Sequence, residues 1–200
     1  SGKRSMKKIL ISGLFFGLLS LQTHADYVSP SNSISNQAAR YSVMDIQSLS
    51  QAAKAGQAGA QFYLGTKYEY GKDVKQDIKQ AFVWYKAAAD QGLASAQLNV
   101  GRMLIDGKGT SKNEALGRQY LEKAASRGDN RASFNLALLD EKKRNFVGAY
   151  QWYELSTRDG MLDNKVISLS EGKKTALAAN LTQEQIRQAR DRADQWIQGL

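Results

Sequence analysis

A phrase written three times sets the strongest limit on what this chain can fold into. It reads AFVWYKAAADQG from Ala81 to Gly92, GRQYLEKAASRG from Gly117 to Gly128, and AYQWYELSTRDG from Ala149 to Gly160. From Gly56 onward the closing glycines Gly92, Gly128 and Gly160 follow at intervals of 36, 36 and 32 residues. A second phrase keeps step with the first: AGAQFYLGTKYEYG from Ala58, ASAQLNVGRMLIDG from Ala94 and NRASFNLALLD from Asn130. A fixed period of this length means that one supersecondary unit, unable to bury its apolar face alone, is stacked on copies of itself. The shorter third interval loses its residues between the two phrases, where YGKDVKQD and DGKGTSKN give way to EKKRN. A deletion confined to that place marks a turn.

Each unit reads as two helices. Ala81, Trp84, Tyr85, Ala88 and Ala89 fall at i, i+3, i+4, i+7 and i+8, which is one helical face. Asp77, Asn113 and Asn145 stand just before the second helix of each unit as N-caps, and the closing glycine supplies the left-handed stop. The spacing predicts repeats over 44–160: an orphan helix at 44–56, then units at 57–92, 93–128 and 129–160. Residues 161–200 are predicted to form C-terminal capping helices, with Thr182 and Gln185 as a capping box and Leu181 and Ile186 as its staple. The single proline, Pro30, lies outside the patterned region.

The amino end has a different grammar. From Met6 the chain runs MKK, an apolar ILISGLFFGLLSL, then QTHA, the order of a secretory signal peptide with its cut after Ala25. The apolar run of 13 residues (Ile9 to Leu21) is short beside the ~20 needed to span a membrane. The expectation is therefore an N-terminal extension and signal peptide at 1–25, a flexible polar segment at 26–43, periplasmic localisation, and no stable membrane insertion after cleavage. The SGKRS ahead of Met6 is read as standing outside the export signal. Residues 1–25 hold Lys3, Arg4, Lys7 and Lys8 and no acid, so cleavage lowers the formal net charge from +9 to +5. It also removes His24, the only histidine, from a chain that has no cysteine. An exported chain of this kind is held together by its core. With 42% hydrophobic and 24% charged residues, it is neither a disordered polymer nor a multi-span membrane protein.

The pattern A-x-A-Q-[FL]-x-[LV]-G, followed by G-x-x-x-x-x-[DN] and A-x-x-[WY]-[YL]-x-x-A-A-x-x-G, resembles the Sel1-like repeat, a relative of the tetratricopeptide repeat. The resemblance covers Met44 to Gly160, and LTQEQIRQARDRADQW (Leu181 to Trp196) resembles the helix that ends many such bacterial proteins. The third unit departs from the pattern at Ala137, Asp140 and Ser156-Thr157. What the resemblance implies is an all-α fold, a right-handed α-solenoid of stacked helix-turn-helix units with a C-terminal capping helix. It also implies protein–protein adaptor work in the bacterial envelope, without a cofactor. Small exported members include immunity proteins that neutralise phospholipase effectors of type VI secretion. A single array suits such a dedicated inhibitor, and a general envelope adaptor or regulator of a cell-wall enzyme is the alternative.

Chemistry finds little to work with. Without histidine or cysteine in the mature chain there is no Ser-His-Asp triad, no cysteine nucleophile and none of the usual zinc ligand sets. SEGK (Ser170 to Lys173) has the S-x-x-K spacing of a hydrolase acting on cell-wall or β-lactam substrates, but S-D-N and K-T-G are missing. It is read as a loop before the last helices, and GKG at Gly107 to Gly109 as the unit's own turn. Asp191 and Asp194 interleave with Arg187, Arg190 and Arg192, a solvated charged face. A charge of +5, with no basic motif carrying interleaved aromatics, argues against nucleic acid.

Surface shape remains. The first helices of stacked pairs line a concave side suited to a peptide or protein. Ala60, Leu64, Gly65 and Tyr68, like Ala96, Val100, Gly101 and Leu104, follow core spacing. That leaves Tyr63, Lys67, Tyr70, Asn99, Arg102, Met103, Asn135 and Leu138 to face a partner, and Tyr, Arg and Met are interface anchors. Trp84 and Trp152 are assigned to the core.

Overall fold

The computed structural model describes residues 39–158 and 163–199. The expected export signal, its cleavage site and residues 26–38 lie outside them. The chain divides into two units, residues 1–44 and 45–200. In the first, residues 39–43 are helical where the tail of a flexible segment was expected, and Ser42 Oγ donates to the Ala39 carbonyl at 2.8 Å.

The second unit runs through α1 (Ile46–Lys54), α2 (Ala58–Tyr70), α3 (Ile78–Asp90), α4 (Ala94–Asp106), α5 (Glu114–Ser126), α6 (Asn130–Lys142), α7 (Phe146–Ser156), α8 (Asn164–Ala178) and α9 (Gln183–Gln198). No β-strand forms among the described residues. The pairs α2/α3, α4/α5 and α6/α7 are hairpins, stacked through α3 on α4 and α5 on α6, with α1 packed on α2 as the orphan helix.

The punctuation follows local chemistry. The side chains of Asp77, Asn113 and Asn145 accept the backbone N–H of Gln80, Leu116 and Gly148 at 3.1, 3.0 and 3.2 Å. Gly56, Gly92 and Gly128 take φ of +91°, +92° and +84°, the left-handed stop that L side chains resist. The shortened third turn reaches the same region without glycine, at Arg144 (φ 60°).

Packing explains the repeated small residues. A Cβ on Gly117 would stand 2.7 Å from the Gly101 carbonyl oxygen, so α4 and α5 touch backbone to backbone. Tyr85 (1% exposed), Ala88, Ala89, Ala96 and Val100 form one core cluster; Leu121, Leu136, Ala149, Trp152 and Tyr153 belong to the next. Of the two tryptophans assigned to the core, Trp152 is there and Trp84 is only half-buried. The Trp196 ring of α9 lies edge-on to Trp152, centroids 4.9 Å apart, and α9 packs on α7.

The seams between units carry specific ties. Gln61 Nε2 donates to the Ala53 carbonyl at 3.2 Å, and Gln97 Nε2 to the Ala89 carbonyl at 3.3 Å, which accounts for the glutamine of A-x-A-Q. The third unit has Ser133 there, and its seam is tied by Arg118, which grips both Asp140 oxygens at 2.9 and 3.3 Å. Asp140, the departure from an apolar residue, is thus a buried ion-pair partner at 4% exposure.

At the carboxyl end α8 packs on α7 and, less, on α6. SEGK corrects a sequence expectation: it lies inside α8 and not in a loop, because Asp163 caps the helix through the N–H groups of Lys165 and Val166. Thr182 and Gln185 close the capping box at 2.9 and 3.1 Å, and Leu181 and Ile186 both join the terminal core.

Candidate partner-binding groove

Stacking aligns the first helices α2, α4 and α6, with α8 following, and their facing side chains enclose a groove of about 860 Å³. Seven of the eight residues named from the sequence line it: Tyr63, Tyr70, Asn99, Arg102, Met103, Asn135 and Leu138. Tyr70 and Leu138 are exposed at 72% and 38%, whereas Met103 (5%) is part of the floor.

Lys67 is the correction. Its side chain is buried, and its ammonium lies 2.6 Å from the Asp73 carboxylate, away from the groove lining. Asp73 takes a left-handed φ of 64° in the α2–α3 turn, and Lys67 fastens it there. The Lys67 hydrogen bond holds the Asp73 carboxyl below its ordinary pKa.

Sequence reasoning missed other lining groups. Phe62, Leu98 and Phe134 stand at one position in successive units, the [FL] of the repeat, and this column was readable. Glu69, Asp106, Lys108, Arg131 and Val166 gave no such signal. Glu69 accepts the Tyr85 hydroxyl at 2.7 Å and has Lys108 at 3.6 Å. Burial first, then the carboxylate, pushes the Tyr85 phenol well above its ordinary pKa. The third hairpin repeats the arrangement with Tyr153 on Glu141 at 2.6 Å and Lys173 at 3.2 Å; Leu121 and Ile105 take the corresponding places in the middle unit. Arg131 is bound to both oxygens of Asp129 at 3.0 and 2.7 Å, and the Asn135 amide donates to the Arg131 carbonyl at 2.7 Å.

The S-x-x-K pair does not form a reactive site. Ser170 is 0% exposed, its oxygen 2.5 Å from Ser156 Oγ on α7, while Lys173 turns to Glu141 on α6. A serine without solvent access has no path to a substrate. The GKG turn is structural too: a Cβ at Gly109 (φ +73°) would meet the Ile78 carbonyl oxygen at 2.5 Å. Among the described residues, no cluster of His, Cys, Asp or Glu is placed to hold a metal ion, and no helix is long and apolar enough to cross a membrane.

Known proteins fit this architecture. The Sel1 repeat matches residues 58–93, 94–129 and 131–161, one hairpin each. Chitin synthase regulatory factor 4 of Schizosaccharomyces pombe is 29% identical over 117 residues, 58% of this chain and 18% of that protein. Chitin synthase regulator SKT5 of Malassezia restricta is 33% identical over 139 residues, 50% of this chain and 10% of that one. The chain thus spans less than a fifth of the length of these relatives. The crystal structure of c5321, a protective antigen present in uropathogenic Escherichia coli strains displaying an SLR fold, has a TM-score of 0.64 at 29% identity, covering 75% of this chain and 32% of that one. The Sel1 repeat protein from Oxalobacter formigenes has a TM-score of 0.54 at 24% identity over 74% of this chain and 77% of its own, a likeness of fold alone. Three phased hairpins, matched unit by unit and stacked as an all-α solenoid, make this chain a member of the Sel1-repeat family of protein–protein interaction modules.

Proposed function

We propose that the chain is an exported, non-enzymatic adaptor that holds a partner protein in the groove between α2, α4, α6 and α8. The observation that carries this reading is the groove itself, with aromatic and aliphatic side chains exposed at its rim and a buried apolar floor. Exposed Tyr and Leu beside an arginine, concentrated in one concavity, are the materials of an interface anchor. Two finer roles fit. The relatives named as chitin synthase regulators support a regulator of a cell-wall enzyme. The family resemblance and the single array support an immunity protein that neutralises a type VI phospholipase effector. The signal-like amino end supports a periplasmic setting for either role.

The test is capture of partners from an envelope extract by the immobilised chain and by a variant carrying Tyr63→Ala, Asn99→Ala and Arg102→Ala. Loss of a partner from the variant, with the helical circular dichroism intact, is the expected result; retention would overturn the groove assignment. Protection of cells from the captured partner would select the immunity role, and altered turnover of a captured enzyme the regulatory one. Export is checked by the amino-terminal sequence of periplasmic material, expected to begin at Asp26.

A further inference from the structure

The groove has a grain. Its lining residues recur at the 36-residue period and so form columns along its length: Tyr63, Asn99 and Asn135 in one, Thr66, Arg102 and Leu138 in the next. The polar groups of the lining differ in whether the protein has already engaged them. Glu69 is engaged by the Tyr85 hydroxyl at 2.7 Å and by Lys108 at 3.6 Å. Arg131 is engaged by Asp129 at 2.7 Å, a carboxylate that is 1% exposed. Arg102 is different: it is exposed on α4, the middle helix, and forms no ion pair among the described residues. Asp106, four residues on, does not pair with it, although both line the groove.

A cation left free in a groove whose own carboxylates do not engage it asks for an anion from outside. Tyr63 and Tyr70 stand on the α2 side of Arg102, and Phe134 and Leu138 on the α6 side. Neighbouring helices pack about 10 Å apart, and an extended segment advances roughly 3.3 Å per residue. One step from column position to column position therefore takes about three residues of an extended partner. We infer that the groove's occupant is an extended segment of a partner protein that sets an aspartate or glutamate against Arg102, with an apolar side chain about three residues to each side. This rests on the groove being the partner site, and names the chemistry it selects.

A phage-displayed library of random 12-residue peptides, panned on the full chain, tests it without knowledge of the natural partner. Enriched peptides are expected to carry Asp or Glu flanked at three residues on either side by Leu, Phe, Tyr or Trp. In fluorescence polarisation with one such peptide, Arg102→Gln should weaken binding at least tenfold. Replacing the peptide's acid by its amide should cost the same, and the two changes together no more than either alone. Should Arg102→Gln leave affinity unchanged while Tyr63→Ala with Leu138→Ala destroys it, the carboxylate assignment falls and the groove reading stands. Binding indifferent to all of these substitutions, or a library that yields no binder, overturns both.

Discussion

Gln97 shows how one side chain records the history of a repeat. Its Nε2 ties α4 to α3, but its Oε1 is buried without a hydrogen-bond partner among the described residues. In the preceding unit the equivalent oxygen, Gln61 Oε1, accepts Gln91 Nε2 at 2.8 Å. Arg127 stands where a second Gln91 would, 36 residues on, and leaves the acceptor unserved. An orphaned buried acceptor costs about 1–3 kcal/mol. Arg127→Gln is therefore expected to raise stability by about 1 kcal/mol, read as a higher urea midpoint with an unchanged slope; a lower midpoint would refute the account. The opposite sign is expected at Gly117. Its missing Cβ lets α4 and α5 meet, so Gly117→Ala should destabilise by about 1–3 kcal/mol as the hairpin is forced apart. Thermal melting of the two variants checks both signs in one experiment.

Among the elements, the hairpins and the last helix with its capping box were legible, and the place of SEGK inside α8 was not. Caps at Asp77, Asn113 and Asn145, left-handed glycines and i, i+3, i+4 spacing are local signals, and they sit where the sequence predicts. Helix α8 buries only Ser170 and Leu177 among its described positions, too few to write an apolar stripe, so SEGK read as a loop. That α9 returns to α7 is decided by tertiary contact, which no local pattern announces. Three helices meet at Glu154, which accepts Lys174 at 2.7 Å and Arg158 at 3.0 Å, while Arg158 also reaches Asp194 on α9. Burial alone would raise the Glu154 pKa, but the bonds from Lys174 and Arg158 outweigh it and hold it below the ordinary 4.5. A carboxyl depressed on folding contributes stability that is complete above its unfolded pKa and is lost as pH falls through the folded one. Melting temperature should accordingly fall on acidification below about pH 4.5, and Glu154→Gln should flatten that fall while lowering stability at pH 7. An acid profile identical in the two proteins would remove Glu154 from the explanation.

At the scale of the whole molecule, the groove was readable because a repeat turns sequence columns into rows of neighbours. Tyr63, Asn99 and Asn135 could be named from their shared position, and the structure lines one concavity with all three. Lys67 escaped that logic because its reach is decided by the turn beside it, where Asp73 offers a carboxylate at 2.6 Å. Arg131 pairs with Asp129 two residues before it, and Glu69 with Tyr85 on the second helix of its own hairpin. These contacts are set by side-chain reach that the repeat pattern does not specify, so the electrostatic character of the site had to await the fold.

The Arg118–Asp140 pair has a mechanical meaning. A solenoid is a row of rigid blocks, and its compliance resides in the joints between them. Amide ties fasten the two earlier joints near the loops that link one unit to the next; the last joint is clasped at the opposite edge, by an ion pair whose arginine is 31% exposed. Electrolyte weakens such a partly buried clasp only in part, but it leaves the amides nearly untouched. The last joint, and with it the joint crossed by Lys108 and Glu69 at 3.6 Å, should therefore loosen with rising salt while the amide-tied seam of α1 on α2 keeps its stiffness. The gaps on either side of α4, where Arg102 stands, would be the part of the groove whose width the surroundings can set.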